Sequence, residues 1–274
     1  MVRDIGAVVE KLSIYHVVDE YAGYGNLSES GRRQRMQHET EMLQRTDLAI
    51  VVSRGLLERK RRAGGRVYLV PNAADYNAYR PTGQAVPESL PPDLRDIPNP
   101  LIGYSGLVAG RLDLELLYGI ATRRPDWSFV LLGAVRRRDC EAELDKLEKL
   151  PNIHFLGYKP VQDVPDYVLA FQVCIVPYKL DERAEFASPL KIYEYAAAEK
   201  PIVATSFQAA KENSEFVMVA KDAHEFEQLL AEAIDISPTD GRIRMGSKVA
   251  KENTWDRRVE MISRIIRDEL KLPG

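Results

Sequence analysis

Ser188-Pro-Leu-Lys-Ile-Tyr-Glu-Tyr195 decides how this chain is read. Serine followed by proline is the pattern of a helix start, with Ser188 as N-cap and Pro189 at the first helical position, where no backbone N–H is needed. Just upstream, Val173-Cys-Ile-Val-Pro177 is an apolar run of strand type. Downstream, Ala196, Ala197 and Ala198 continue the helix, Lys200-Pro201 stops it, and Ile202-Val-Ala204 opens another strand. The helix therefore begins near the end of a strand, and its unpaired N–H groups and partial positive charge make an anion site. Lys191 and Glu194 are three residues apart and share one face. A cation beside a carboxylate suits a ligand that carries both a phosphate and a sugar diol. The octapeptide equally fits a capped helix whose Lys and Glu are solvated or paired with each other, so the neighbouring strand ends must decide.

Strands and helices alternate outward from this point. Strands are expected at 14–18, 47–52 and 67–70, then at 101–105, 128–132, 153–156, 173–176, 202–204 and 216–219. Between them lie helical stretches at 3–11, 32–45, from Ser53 to about Ala63, and at 112–122, 139–150 and 161–170. Asp222-Ala-His-Glu225 is a capping box, and a last helix from Asn253-Thr254 places Trp255, Val259, Ile262 and Ile266 on one stripe. Short connections between alternating elements predict an α/β fold with parallel sheets covered on both faces. Ligands of such sheets lie beyond the carboxyl ends of the strands. Pro81, Pro87, Pro91, Pro92, Pro98 and Pro100 crowd one stretch, which reads as a linker over 81–100 between two domains.

Composition narrows the function classes. The chain has 274 residues, 45% hydrophobic and 29% charged, with a net charge of −3, which gives no nucleic-acid signature. Arg54, Arg59, Lys60, Arg61, Arg62 and Arg66 face a single Glu58, either as a solvated helix face or as a patch for anionic lipid. Cys140 and Cys174 form no disulfide framework or zinc pattern, which points to a reducing, cytoplasmic setting. No apolar run approaches the roughly 20 residues of a membrane-spanning helix.

Several candidates fall at expected strand ends. Gly103-Tyr-Ser-Gly106, with Gly110-Arg111, brings glycines that let backbone approach a phosphate and an arginine to neutralise it; a flexible turn fits as well. Leu156-Gly-Tyr-Lys-Pro160 offers the Gly157 backbone and a Tyr158 ring to a base, or is a surface turn capped by Asp163. Glu194 has two acceptor oxygens for a pair of ribose hydroxyls. Near the chain start, Asp19 and His16 are both possible general bases. They point to opposite faces of a strand, and Asp19, at its carboxyl end, is the choice; His16 reads as a core histidine. No Asp-x-Asp pair occurs, so a metal-chelated diphosphate has no evident ligand set.

These pieces, in order, resemble the GT-B-fold, family 4-type glycosyltransferases. The resemblance rests on Asp47-Leu-Ala-Ile-Val-Val-Ser53, on Val67-Tyr-Leu-Val-Pro-Asn-Ala-Ala-Asp75 and on Ile102-Gly-Tyr-Ser-Gly106. It continues through Asn152-Ile-His-Phe-Leu-Gly157, Asp163-Val-Pro-Asp-Tyr167, Pro189 to Ala198, and Thr254-Trp-Asp256. The nearest variant is the bacterial exopolysaccharide and teichuronic-acid type. The resemblance implies two Rossmann-like domains: an acceptor-side domain over 1–80, incomplete at its start, and a donor domain over 101–252. A terminal helix at 253–274 would cross back to the first. It implies sugar transfer from a UDP- or GDP-sugar to a saccharide, cell-surface glycan or lipid-linked acceptor in an inter-domain cleft. A hexosyl- or uronosyltransferase that needs no metal or other cofactor is expected, working in the cytoplasm or at the inner face of the membrane. Glu194 would hold the ribose, Gly157 and Tyr158 the base, and Lys191 and the helix start at Ser188 the diphosphate, with Gly106 and Arg111 nearby. Lys191 would stabilise the departing diphosphate and Asp19 would act as base. Where the family has the first glutamate of a pair, eight residues before Glu194, this chain has Phe186, with Glu185 adjacent. The alternatives are a nucleotide-sugar-binding module without catalysis, or one half of a two-chain transferase whose partner or second copy covers the first sheet's edge.

Overall fold

The computed structural model describes residues 10–20, 28–62, 65–81 and 90–271. The described residues form two compact units. The first holds those up to Ala73, those of Asp181–Pro189 and those from Trp255; the second holds Ala74–Leu180 and Leu190–Thr254. The expected helix at 3–11 lies largely outside the described residues, and Glu10 and Lys11 are not helical.

In the first unit, β1 (Ile14–Val17), β2 (Leu48–Val51) and β3 (Arg66–Leu69) form a parallel sheet in that order. The continuous apolar run of β2 is explained by what covers it. Leu48 and Ile50 face Val70, with Ile262 and Ile265 of α12 (Trp255–Leu270) packed against them. Ala49 and Val51 face Leu43, Leu56 and Phe186 from α1 (Glu29–Arg45), α2 (Arg54–Arg62) and α7 (Glu182–Phe186). Both faces of the strand are thus dry, as a parallel sheet requires. Ser53 caps α2 as expected, its Oγ accepting from the Leu56 N–H at 3.2 Å.

The stripe expected on α12 is rotated. Trp255 and Val259 are 45% and 62% exposed, whereas Arg258 is buried. Its guanidinium donates to the carbonyl oxygens of Pro71 at 2.7 Å and Asn72 at 3.3 Å. Arg258, Ile262 and Ile265 make the inward line, because a charged fork that satisfies two backbone acceptors outweighs one more apolar contact.

The basic stretch is likewise not a uniform solvated face. Lys60 is 2% exposed and holds two carboxylates, Glu20 at 2.7 Å and Glu39 at 2.6 Å. Arg59 reaches Glu182 at 2.9 Å and lies over the Phe186 ring. Arg61 and Arg62 are exposed. Helical spacing carries Leu56 and Lys60 inward on one side of α2.

In the second unit, β4 (Leu101–Ser105), β5 (Ser128–Leu132), β6 (Ile153–Gly157), β7 (Val173–Val176), β8 (Ile202–Thr205) and β9 (Val217–Ala220) form one parallel sheet. Their order is β6-β5-β4-β7-β8-β9, which is the doubly wound dinucleotide-fold order with its switch point between β4 and β7. Helices α4 (Leu114–Arg123), α5 (Glu141–Leu147), α6 (Val164–Ala170), α8 (Leu190–Ala197) and α10 (Ala223–Ile234) fill the connections. The capping box forms: Asp222 Oδ1 accepts from the Glu225 N–H at 2.9 Å, and Glu225 Oε2 from the Lys221 N–H at 2.8 Å.

The two units divide the chain elsewhere than the expected linker at 81–100. From Ala74 onward the chain already belongs to the second unit, including α3 (Tyr76–Tyr79). Residues 82–89 lie outside the described residues. The end of the proline-rich stretch is packed: Leu94 is 1% exposed, in a 3-10 turn at Pro92–Leu94. Prolines marked irregular backbone there, not a free tether. Among the described residues four helices were not expected from the sequence: α3, α7, α9 (Gln208–Glu212) and α11 (Gly241–Glu252). In α11 the buried line is Ile243, Gly246 and Ala250, too small to show as an apolar stripe.

Candidate functional site

The switch point of the second sheet gathers most of the expected donor residues. Glycines with positive φ close three adjacent strands at their carboxyl ends: Gly106 after β4, Gly133 after β5 and Gly157 at the end of β6. Gly106 N–H donates to the Leu132 carbonyl at 2.8 Å, and Gly133 N–H to that of Gly157 at 2.9 Å. A Cβ on Gly133 would stand 2.1 Å from the Gly106 carbonyl oxygen. The backbones are therefore pressed together in a way only glycine permits.

Beside Gly106 comes Lys191, from the first turn of α8. A Cβ on Gly106 would lie 3.2 Å from the Lys191 Nζ. That ammonium donates to the Tyr178 hydroxyl at 3.3 Å and lies 5.2 Å from the centre of the Tyr104 ring. Arg111 stacks on the same Tyr178 ring at 4.3 Å. So two cations, Arg111 and Lys191, converge on one buried tyrosine just past β7. Tyr104 and Tyr178 are 1% and 2% exposed. Burial pushes the Tyr104 hydroxyl up to about 12, so it is a neutral hydrogen-bonding group at physiological pH.

Glu194 follows one turn after Lys191. Tyr79 of α3 hydrogen-bonds its carboxylate. Burial pushes the Glu194 carboxyl above its ordinary range, while Lys191 and the Tyr79 bond pull the other way. Tyr195, fully buried, turns its hydroxyl back onto the Ser105 N–H at 2.8 Å. That bond ties α8 to the end of β4. Further along the strand ends, Tyr158 is 75% exposed on the loop after β6.

Gly106, Arg111, Lys191 and Glu194 thus lie in one unit, with Gly157 and Tyr158 two strands along. Ser188 does not open the helix. α8 starts at Leu190, and Ser188 groups with the first unit, where its carbonyl accepts from Asn72 Nδ2 at 2.7 Å. Asp19 also lies in the first unit, past the end of β1, with Oδ1 accepting from the Glu20 N–H at 2.8 Å. His16, read as a core histidine, is exposed. Phe186 is a core residue of the first unit, packed with Val51 and Leu56. Sequence reasoning missed Tyr104, Tyr178, Tyr79 and Gly133. The Tyr-Ser-Gly106 and Pro177-Tyr178 sequences at strand ends were the available signals. Among the described residues no group of His, Cys, Asp or Glu has a metal-holding arrangement. No described helix is long and apolar enough to cross a membrane.

Residues 114–235, which belong to the second unit except for Asp181–Pro189, match the family described as Glycosyl transferases group 1. TuaH of Bacillus subtilis, named for glycosyl transfer in teichuronic acid biosynthesis, is 29% identical over 185 residues, 66% of this chain and 45% of that protein. The chain thus spans less than half the length of that curated relative. HepE of Anabaena, solved with UDP and glucose, superposes with a TM-score of 0.73 at 18% identity, covering 93% of this chain and 70% of HepE. Sucrose-phosphate synthase of Thermosynechococcus elongatus gives 0.72 at 20% identity, covering 93% and 66%. The chain thus has a GT-B-like fold of two parallel-sheet units, and it contains a segment similar to the family described as Glycosyl transferases group 1.

Proposed function

We propose that the chain transfers a sugar from a UDP- or GDP-sugar, held in the second unit, to a cell-surface glycan or lipid-linked acceptor. The observation that carries this is the convergence of Arg111 and Lys191 on Tyr178, beside Gly106, at the switch point. A diphosphate needs cations and close backbone, and both are there. Glu194 accepts the ribose hydroxyls, and Gly157 and Tyr158 take the base. Bond cleavage leaves charge on the diphosphate, and the preorganised Lys191 ammonium stabilises it as it develops. HepE supports the donor class, having been solved with UDP and glucose. The naming of TuaH for glycosyl transfer in teichuronic acid biosynthesis supports sugar transfer of this kind. On this reading the chemistry needs no metal, Asp19 serves the acceptor, and Arg54, Arg61 and Arg62 of α2 lie against anionic lipid.

A second reading is a nucleotide-sugar-binding module without transfer. Phe186 favours it, since the family's first paired glutamate is replaced by a ring buried in the first unit. Single-turnover assays with radiolabelled UDP- and GDP-sugars and membrane-extracted acceptors separate the two. Transfer that Lys191→Met abolishes supports the enzyme. Donor binding with no transfer to any acceptor supports the module.

A further inference from the structure

The loop after β6 holds an arrangement that the proposed function leaves unused. Tyr158 stands 75% exposed, so nothing in the unit fixes its ring by burial. The next residue is fixed. The Lys159 ammonium lies 2.7 Å from Asp93 Oδ2 and 5.5 Å from the centre of the Tyr167 ring. The Tyr167 hydroxyl donates to the other oxygen, Asp93 Oδ1, at 2.8 Å. Asp93 is itself anchored, since it precedes the buried Leu94 in the 3-10 turn, and Tyr167 is 7% exposed in α6. The loop is closed by the Asp163 N–H, which donates to the Pro160 carbonyl at 3.0 Å. Two bonds to Lys159 and Tyr167 hold the Asp93 carboxyl below its usual range despite the burial that opposes it.

We infer that Asp93 is a positioning residue: by joining Lys159 to Tyr167 it fixes the backbone from Gly157 to Pro160 and presets the Tyr158 ring as a stacking surface for a nucleotide base. The inference rests on the donor reading above and deepens it, by naming what holds the loop that carries Tyr158. A ring held in place before binding loses less freedom when a base stacks on it.

UDP, GDP, ADP and inorganic pyrophosphate are titrated calorimetrically into the full chain. The nucleotide bound most tightly is carried to the variants, with pyrophosphate as the probe that has no base. Tyr158→Ala is expected to weaken the nucleotide about 5- to 150-fold, the range for losing one base–aromatic stack. Asp93→Ala is expected to weaken it about 2- to 12-fold, the range for freeing one side chain. Pyrophosphate affinity stays at the wild-type value, and Asp93→Glu restores part of the nucleotide loss. Nucleotide binding unchanged in Asp93→Ala or in Tyr158→Ala overturns the inference. So does an equal loss of nucleotide and pyrophosphate, which marks a general structural defect. Should Asp93→Ala fail to fold, Tyr167→Phe, which removes only the hydroxyl donor, must show the same selective loss, and its absence overturns the inference. A wild type that binds pyrophosphate but no nucleotide overturns the base platform and leaves the diphosphate cluster standing. One that binds neither overturns the donor reading itself.

Discussion

At Gly133 the cost of a single methyl group can be read directly. The added Cβ would meet the Gly106 carbonyl at 2.1 Å, on a backbone with φ of 140°. Gly133→Ala is expected to destabilise the protein by about 1–3 kcal/mol, the range for overpacking, and to weaken donor binding by displacing Gly106. Thermal unfolding and nucleotide titration of the same sample check both. Glu194 gives a pH signature. Its carboxyl titrates above its ordinary 4.5 in the folded chain, so the unfolded state gives up that proton first as pH rises. Stability is therefore lost as pH climbs from 4.5 through the raised value, and Glu194→Gln removes that part of the slope. On the proposed donor reading, nucleotide affinity should run the opposite way, falling on acidification as the carboxylate proposed to accept the ribose hydroxyls is protonated. Denaturation midpoints and binding constants across the acid range show whether these two trends part. The shared helical face of Lys191 and Glu194 was legible because helical spacing is a local property. Tyr178 and Tyr104 were not, since only the sheet brings residues from separate strand ends onto one ammonium.

Among the elements, α2 shows how far a charge pattern can mislead. Its basic run predicts a solvated or lipid-facing helix, yet Lys60 is turned inward between Glu20 and Glu39. Which way a lysine points depends on carboxylates distant in sequence, and no pattern within α2 announces them. Removing the cation leaves one buried and one half-buried carboxylate with less compensation. Lys60→Met is expected to cost about 3 kcal/mol or more, and adding Glu20→Gln and Glu39→Gln should recover part of it. Urea denaturation of the single and triple variants measures the difference. α7 makes a related point. Phe186 is a core residue of the first unit although its segment, Asp181–Pro189, lies between two stretches of the second. Phe186→Ala should cost about 3–5 kcal/mol, as for other large core aromatics. The strands were legible almost to the residue: β4, β5 and β7 match their expected bounds, because fully buried parallel strands are unbroken apolar runs. Helix starts were less so. Ser188-Pro189 has the chemistry of a cap, yet α8 opens at Leu190.

For the molecule as a whole, the α/β class and the parallel sheets followed from the alternation of strands and helices. The division into units did not. The first unit takes the chain's start, a short segment from its middle and its last helix, a non-contiguous set that linear reading cannot assemble. Prolines at 81–100 suggested a tether, but Leu94 and Asp93 bind the end of that stretch into the second unit. The central claim is that this unit holds a nucleotide-sugar through Lys191 and Glu194. A thermal-shift panel of the full chain with UDP, GDP, ADP and their common sugars tests it most directly, run beside Lys191→Met and Glu194→Ala. The account predicts that UDP or GDP at 100 times its dissociation constant adds about 2.7 kcal/mol to the wild type, and that both variants fold but lose the gain. A well-folded wild type that no nucleotide stabilises, or variants stabilised as fully as the wild type, would contradict it.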